Sequence, residues 1–161
     1  MSNQLFVKMA LDAWQGQVKS TDNLFNKLSD EQMMQEVSPS RNRGIYLLGH
    51  LIAVHDMMLP LLFLGESQYK ELHPIFVDSP DKSTPNLPSV AELRAKWTAQ
   101  VENMSKLFAG LTPDEWFTRH ASITAEDFAA QPHRNRLNVV LVRTIHLSNH
   151  RGQLEFLLPK G

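Results

Sequence analysis

The segment that decides the fold is Leu137-Asn-Val-Val-Leu-Val-Arg143-Thr-Ile-His146-Leu-Ser-Asn-His150-Arg151-Gly152-Gln153-Leu-Glu-Phe-Leu-Leu158. Its apolar residues recur at helical spacing and Pro159 closes it, which predicts a helix from about residue 136 to 158. Within it, His146 and His150 are four residues apart. That spacing puts two imidazoles on one helix face, with Cβ atoms roughly 5–6 Å apart, close enough to chelate one metal ion. In a chain with seven histidines, H-x₃-H alone is a weak signal. A lone buried histidine is ordinarily a hydrogen-bonded core residue.

A third histidine, His50, lies in another apolar run, Gly44-Ile-Tyr-Leu-Leu-Gly-His50-Leu. The rest of the chain also reads as helix, with no alternating strand pattern. A first helix is predicted over about 3–28 from Leu5, Met9, Leu11, Trp14, Val18, Leu24 and Leu28. Ser29-Asp-Glu-Gln32 resembles a capping box opening a short helical turn, and Ser38-Pro39-Ser40 interrupts the chain. A second long helix is expected over 43–64, with Asn42 as its cap and Gly65 as its stop. Pro60 should kink it by crowding the carbonyl of Asp56. Residues 66–88, with Pro74, Pro80, Pro85 and Pro88, read as a long connector. Ser89-Val-Ala-Glu92 caps a third helix that ends at Gly110. Thr112-Pro-Asp-Glu115 is expected to open a short helix with Pro113 at its first position, and Thr124 to Ala130 one more turn.

Four long helices predict an all-α four-helix bundle with short accessory helices, a single domain over 1–161. A connector of some twenty residues can extend roughly 75 Å, whereas a twenty-residue helix is about 30 Å long. Helices 2 and 3 can therefore run parallel, giving an up-down-down-up order with helices 2 and 4 antiparallel. His50 is about 10 Å from the start of helix 2, and His150 and His146 about 12–18 Å from the end of helix 4. Antiparallel packing brings the three histidines to similar depth.

Composition narrows the function. The chain of 161 residues is 42% hydrophobic and 20% charged, with net charge −1 and no cysteine. Disulfides, thiolate metal sites and a cysteine nucleophile are excluded. Acids and bases are mixed along the chain without a basic block, which argues against nucleic acid as a partner. The N-terminus lacks the basic-then-apolar pattern of a signal peptide, so a cytoplasmic location is expected. The greasiest run, Leu47 to Leu64, is broken by His50, His55, Asp56 and Pro60 and reads as a buried helix rather than a membrane span.

Taken together, Leu47-Leu-Gly-His50-Leu, the ending His146-x₃-His150-Arg151-Gly152-Gln153 and the Leu28-Ser-Asp-Glu-Gln32 junction resemble the DinB/YfiT-like family of metal-binding four-helix bundles, in order and length along essentially the whole chain. The resemblance implies an up-down-down-up bundle and a divalent metal held by His50, His146 and His150. It also implies a homodimer and, by analogy with some relatives, a thiol-dependent transferase or isomerase acting on a small molecule. Three neutral imidazoles suit zinc or nickel and leave a coordination position open, as catalytic sites do. Water or a thiol there would lose its proton more readily, so a metal-dependent hydrolase and a non-catalytic metal-binding bundle are the alternative readings. Without cysteine in the chain, any thiol must be an external low-molecular-weight cofactor.

The remaining candidates are read by position. Arg143, one turn before His146, is placed to clamp a substrate or cofactor carboxylate or to be a solvated helix arginine. Arg151 and Gln153 are expected to pair with neighbouring helices. His55, about 140° around the helix from His50, is not expected to be a fourth ligand, and Asp56 is offset as well. His73, His120 and His133 are expected to face solvent, and Trp14, Trp97 and Trp116 to belong to a core or interface.

Overall fold

The computed structural model describes residues 3–159. Its long helices are α1 (Asn3–Lys27), α3 (Gly44–Asp56, continued by α4, Met58–Leu61), α6 (Val90–Ala109) and α8 (Arg136–Leu154). Short helices α2 (Asp30–Met33), α5 (His73–Phe76) and α7 (Ala125–Ala130) lie between them, with 3-10 turns at Lys70–Leu72, Glu115–Phe117 and Glu155–Leu157.

Inter-helix contacts fix the direction of each helix. Arg94 of α6 donates to the carbonyls of Phe25 and Leu28, Trp14 packs near Phe108, and Asn3 bonds Asp114. Helices α1 and α6 are therefore antiparallel. The start of α3 touches the end of α8 at Gly44 and Leu157. Beyond α4, Phe63 meets Arg136 at the start of α8, so these helices are antiparallel too. Arg43 and Ile45 at the start of α3 line one cleft with Ser89 and Val90 at the start of α6, so α3 and α6 run one way and α1 and α8 the other, the up-down-down-up order expected from the connector length.

The core holds Trp14, Phe25, Leu47, Leu48, Leu51, Ile52, Trp97 and Trp116, all nearly inaccessible. Each side chain of this size contributes roughly 1.5–3 kcal/mol on burial. The stretch Gly44–Leu61 is long and apolar enough to cross a membrane by composition, and 78% of it is buried among the other helices, as a core helix is.

Two of the expected capping residues act as caps, and Thr124 is a cap as well. Ser29 and Ser89 form complete capping boxes with Gln32 and Glu92, and Thr124 accepts from Asp127. Others differ. Arg43, not Asn42, is the N-cap of α3, and it makes no side-chain cap bond. Its N–H and guanidinium are instead held by Asp81, so the first turn is secured from the connector. The second long helix breaks at Met57 and stops at Leu61, three residues early. Pro60 has no N–H for the carbonyl of Asp56, which the hydroxyl of Ser67 approaches at 3.4 Å instead. Phe63, in the left-handed region at φ 56, and Gly65, at φ 125, turn the chain after the helix. Thr112 and Glu115 make reciprocal bonds, but only a 3-10 turn follows, with Pro113 outside it. The α-helical part of α8 ends at Leu154 and its last turn tightens to 3-10.

Candidate metal centre

In α3 every residue except His50 is buried. His50 faces α8, and the ligating nitrogens of His50, His146 and His150 all lie within 4.8 Å of one another. Nε2 of His146 is 3.2 Å from Nε2 of His50 and 3.1 Å from Nε2 of His150. Two nitrogens on one zinc at 2.0–2.1 Å would stand about 3.3 Å apart in tetrahedral geometry, so the spacing suits a small cation.

The outer nitrogens decide which tautomer is present. Nδ1 of His50 lies 2.7 Å from the carbonyl oxygen of Phe76, which can only accept, so Nδ1 carries the proton. Nδ1 of His150 lies 2.8 Å from Oε1 of Gln153 and donates in the same way. Both leave Nε2 with a bare lone pair aimed at the centre. A proton on His146 Nε2 can point at only one of these neighbours at a time, whereas a cation satisfies all three nitrogens. Nδ1 of His146 is buried and without a partner among the described residues.

A family model described as the DinB superfamily matches residues 13–154, from the middle of α1 to the end of α8. The chain belongs to the DinB superfamily. The comparison with curated proteins gives no match.

The electrostatics of this DinB-superfamily chain keep His50 and His146 neutral, as metal binding requires. Burial pushes the His146 pKa down to about 4, helped by the positive charge that His150, His50 and Arg143 would place beside it. Burial lowers His50 as well, opposed by its bond to Phe76. Arg143 is half-buried, and burial lowers its pKa too. Its charge reaches His50, His55 and His146. No hydrogen bond or ion pair to it occurs among the described residues.

Gln153 is the site residue that sequence reading missed as a histidine partner. It bonds the imidazole three residues earlier on its own helix, an i,i+3 relation visible in the sequence. Phe76 could not be found that way, because a backbone carbonyl carries no sequence signature. Arg151 pairs with Glu155 in the 3-10 turn that continues α8 rather than with another helix. His55 is indeed outside the cluster, fully buried against Trp14 and Trp97.

Two expectations of solvent exposure are overturned. His73 contacts the fully buried carboxylate of Asp56 at 3.2 Å, and His120 is buried with Ser122 bonded to its Nδ1. Both sit in segments that read as open connector but fold back against the end of the second helix. His133 is exposed. All three tryptophans are core residues.

Proposed function

We propose that His50, His146 and His150 bind one divalent ion, zinc or nickel, through Nε2, and that the protein is a metal-dependent enzyme acting on a small electrophile. The observation that carries this is the convergence of three nitrogens, two with their lone pairs directed inward by Phe76 and Gln153. When bound, the ion would supply Lewis acidity and lower the pKa of a water or thiol at its open position. The protein's own residues hold His50 and His146 neutral and fix the tautomers of His50 and His150.

Between the two nucleophiles, an external low-molecular-weight thiol is favoured. A hydrolase benefits from a general base, and among the described residues no carboxylate hydrogen-bonds to the three imidazoles. In thiol transfer, the sulfur forms a new S–C bond, the thiol proton passes to solvent, and the leaving group departs with its electron pair. Arg143 serves as the anion anchor beside the centre, pairing with a carboxylate of the substrate or thiol.

Untagged protein should contain close to one equivalent of zinc or nickel by elemental analysis, and His146→Ala should lose it. Metal below about 0.1 equivalent, with no rise in melting temperature on adding either ion, would reject the site. Turnover of electrophiles with a panel of small thiols separates enzyme from a non-catalytic metal-binding bundle. Hydrolysis without thiol would select the metal-dependent hydrolase instead. Arg143→Lys should raise KM for an anionic substrate much more than it lowers kcat.

A further inference from the structure

Three chain segments meet just beyond α4 and hold two arginines against one exposed aromatic ring. Ala121 donates its N–H to the carbonyl of Leu61, and Arg136 donates its N–H to the carbonyl of Thr118. An isolated antiparallel bridge joins Arg119 to Asn135. These bonds fix the backbone from which both guanidiniums project. Cζ of Arg119 lies 5.4 Å from the centroid of the Phe63 ring, and Cζ of Arg136 5.2 Å. Phe63, Thr118, Arg119 and Arg136 line an open cleft of about 470 Å³.

Phe63 stands where a helix commonly ends on glycine. Its N–H bonds the carbonyl of Pro60, and the next N–H, of Leu64, reaches back to the carbonyl of Leu59. That pairing is a Schellman ending, whose turning residue is left-handed and usually glycine. Phe63 adopts it at φ 56, with its ring 49% exposed. A bulky side chain is strained in that region, and so exposed a ring gains little from burial in return. What the ring gains is contact with two cations.

Those cations lack counter-charges. Neither guanidinium forms an ion pair among the described residues. Arg119 donates to the carbonyl of Ile123 alone, and Nε of Arg136 is buried without a partner, a costly state for a donor. The Glu115 carboxyl is held below its usual range by the Thr112 N–H and hydroxyl first and by Arg136 last, and it makes no ion pair with that arginine. The Thr118 hydroxyl proton goes to the Glu115 carbonyl. The cleft therefore offers a ligand guanidinium donors and two positive charges.

We infer that this cleft binds a phosphate monoester, its dianionic head between Arg119 and Arg136 and its organic group against Phe63. Two guanidiniums match two negative charges, whereas a carboxylate or a sulfate ester supplies one. The three terminal oxygens of the phosphoryl group also suit two forked donors. Arg136 lies ten residues before His146, about 15 Å along α8, so the cleft is separate from the histidine cluster. The inference stands whether or not the histidines hold metal.

The test is isothermal titration of the full chain with phenyl phosphate at fixed ionic strength, before and after treatment with a chelator. Saturable binding of equal affinity in both forms is expected, at least about tenfold tighter than for phenyl sulfate. Arg119→Gln and Arg136→Gln should each weaken it at least about tenfold. Arg41→Gln, the same charge change at an exposed arginine elsewhere, should leave it intact. Phe63→Gly should weaken binding while its melting temperature holds or rises, because glycine adopts the left-handed turn without strain. Co-flotation with vesicles containing phosphatidic acid, lost in Arg119→Gln, supports the site and makes a lipid headgroup its source; phenyl phosphate binding without co-flotation makes the source a free ester. No saturable binding, equal affinity for the two esters, or equal losses from Arg41→Gln and Arg119→Gln overturns the inference. So does a Phe63→Gly variant that melts early with affinity intact. Binding that disappears with the metal overturns it too and returns the ligand to the histidine centre.

Discussion

His55 lies fully buried between Trp14 and Trp97 with neither ring nitrogen hydrogen-bonded among the described residues. Burial, reinforced by the nearby charge of Arg143, holds its pKa down to about 3. The unfolded chain therefore binds a proton that the folded chain refuses between about pH 6.5 and 3. Stability should be flat above that window and fall as pH drops through it, by up to about 1.4 kcal/mol per pH unit for this residue. Replacing it by a similar-sized apolar residue, His55→Leu, removes two unpaired polar atoms and that proton uptake. Urea unfolding at pH 7 and pH 5 should show a smaller loss for His55→Leu than for wild type; equal losses would refute the assignment. Gln153 offers a sharper test of the histidine cluster. Gln153→Leu should weaken metal affinity roughly 10- to 100-fold with little change in the far-ultraviolet spectrum, because it frees the His150 tautomer. Gln153→Glu, which still accepts from Nδ1, should retain metal, as competition with a chelator would report.

At the scale of elements, α3 and the connector depend on each other. Arg43, Tyr46 and His50 lie on one face of α3 and take partners at Asp81, the Ser79 carbonyl and the Phe76 carbonyl. The helix thus grips the connector in reverse order along its length. Gly49 lies on the same side, and a Cβ there would stand 2.5 Å from the Phe76 ring. Gly49→Ala should displace Phe76, costing roughly 1–3 kcal/mol in stability and weakening metal binding through His50. Thermal melts with and without metal would measure both effects; a metal-induced shift equal to that of wild type would refute the coupling. Asp56 does similar work at the other end of the helix, accepting from the backbone of Gln68 and Tyr69 and from His73. Those bonds were out of reach of periodicity, which reported only that residues 66–88 were not a long helix. The capping boxes at Ser29 and Ser89 were readable, because each is complete within four residues. The true anchor of the α3 N-terminus was not, because Asp81 is distant in sequence from Arg43.

Across the whole molecule, the histidines join helices α3 and α8, so an ion bound to all three would link the two antiparallel halves of the bundle. Saturating metal should then stabilise the folded state by about 2.7 kcal/mol at one hundred times its Kd, and His50→Ala should abolish that gain. Acid should release the metal only below the pH range of free imidazole, since the folded state disfavours protonation of His50 and His146. A metal-release midpoint near or above pH 6.5 would contradict this direction. Sequence by itself determined the long helices, their order and the identity of the three histidines, because helical period and short-range capping are local properties. The long connector allowed the second and third long helices to run parallel, because it can span a helix length. Only the tertiary structure decided that the nitrogens meet at 3.1–3.2 Å and that a connector carbonyl sets the His50 tautomer. Those relations depend on how each helix is rotated about its axis, and rotation is set by packing across the whole core.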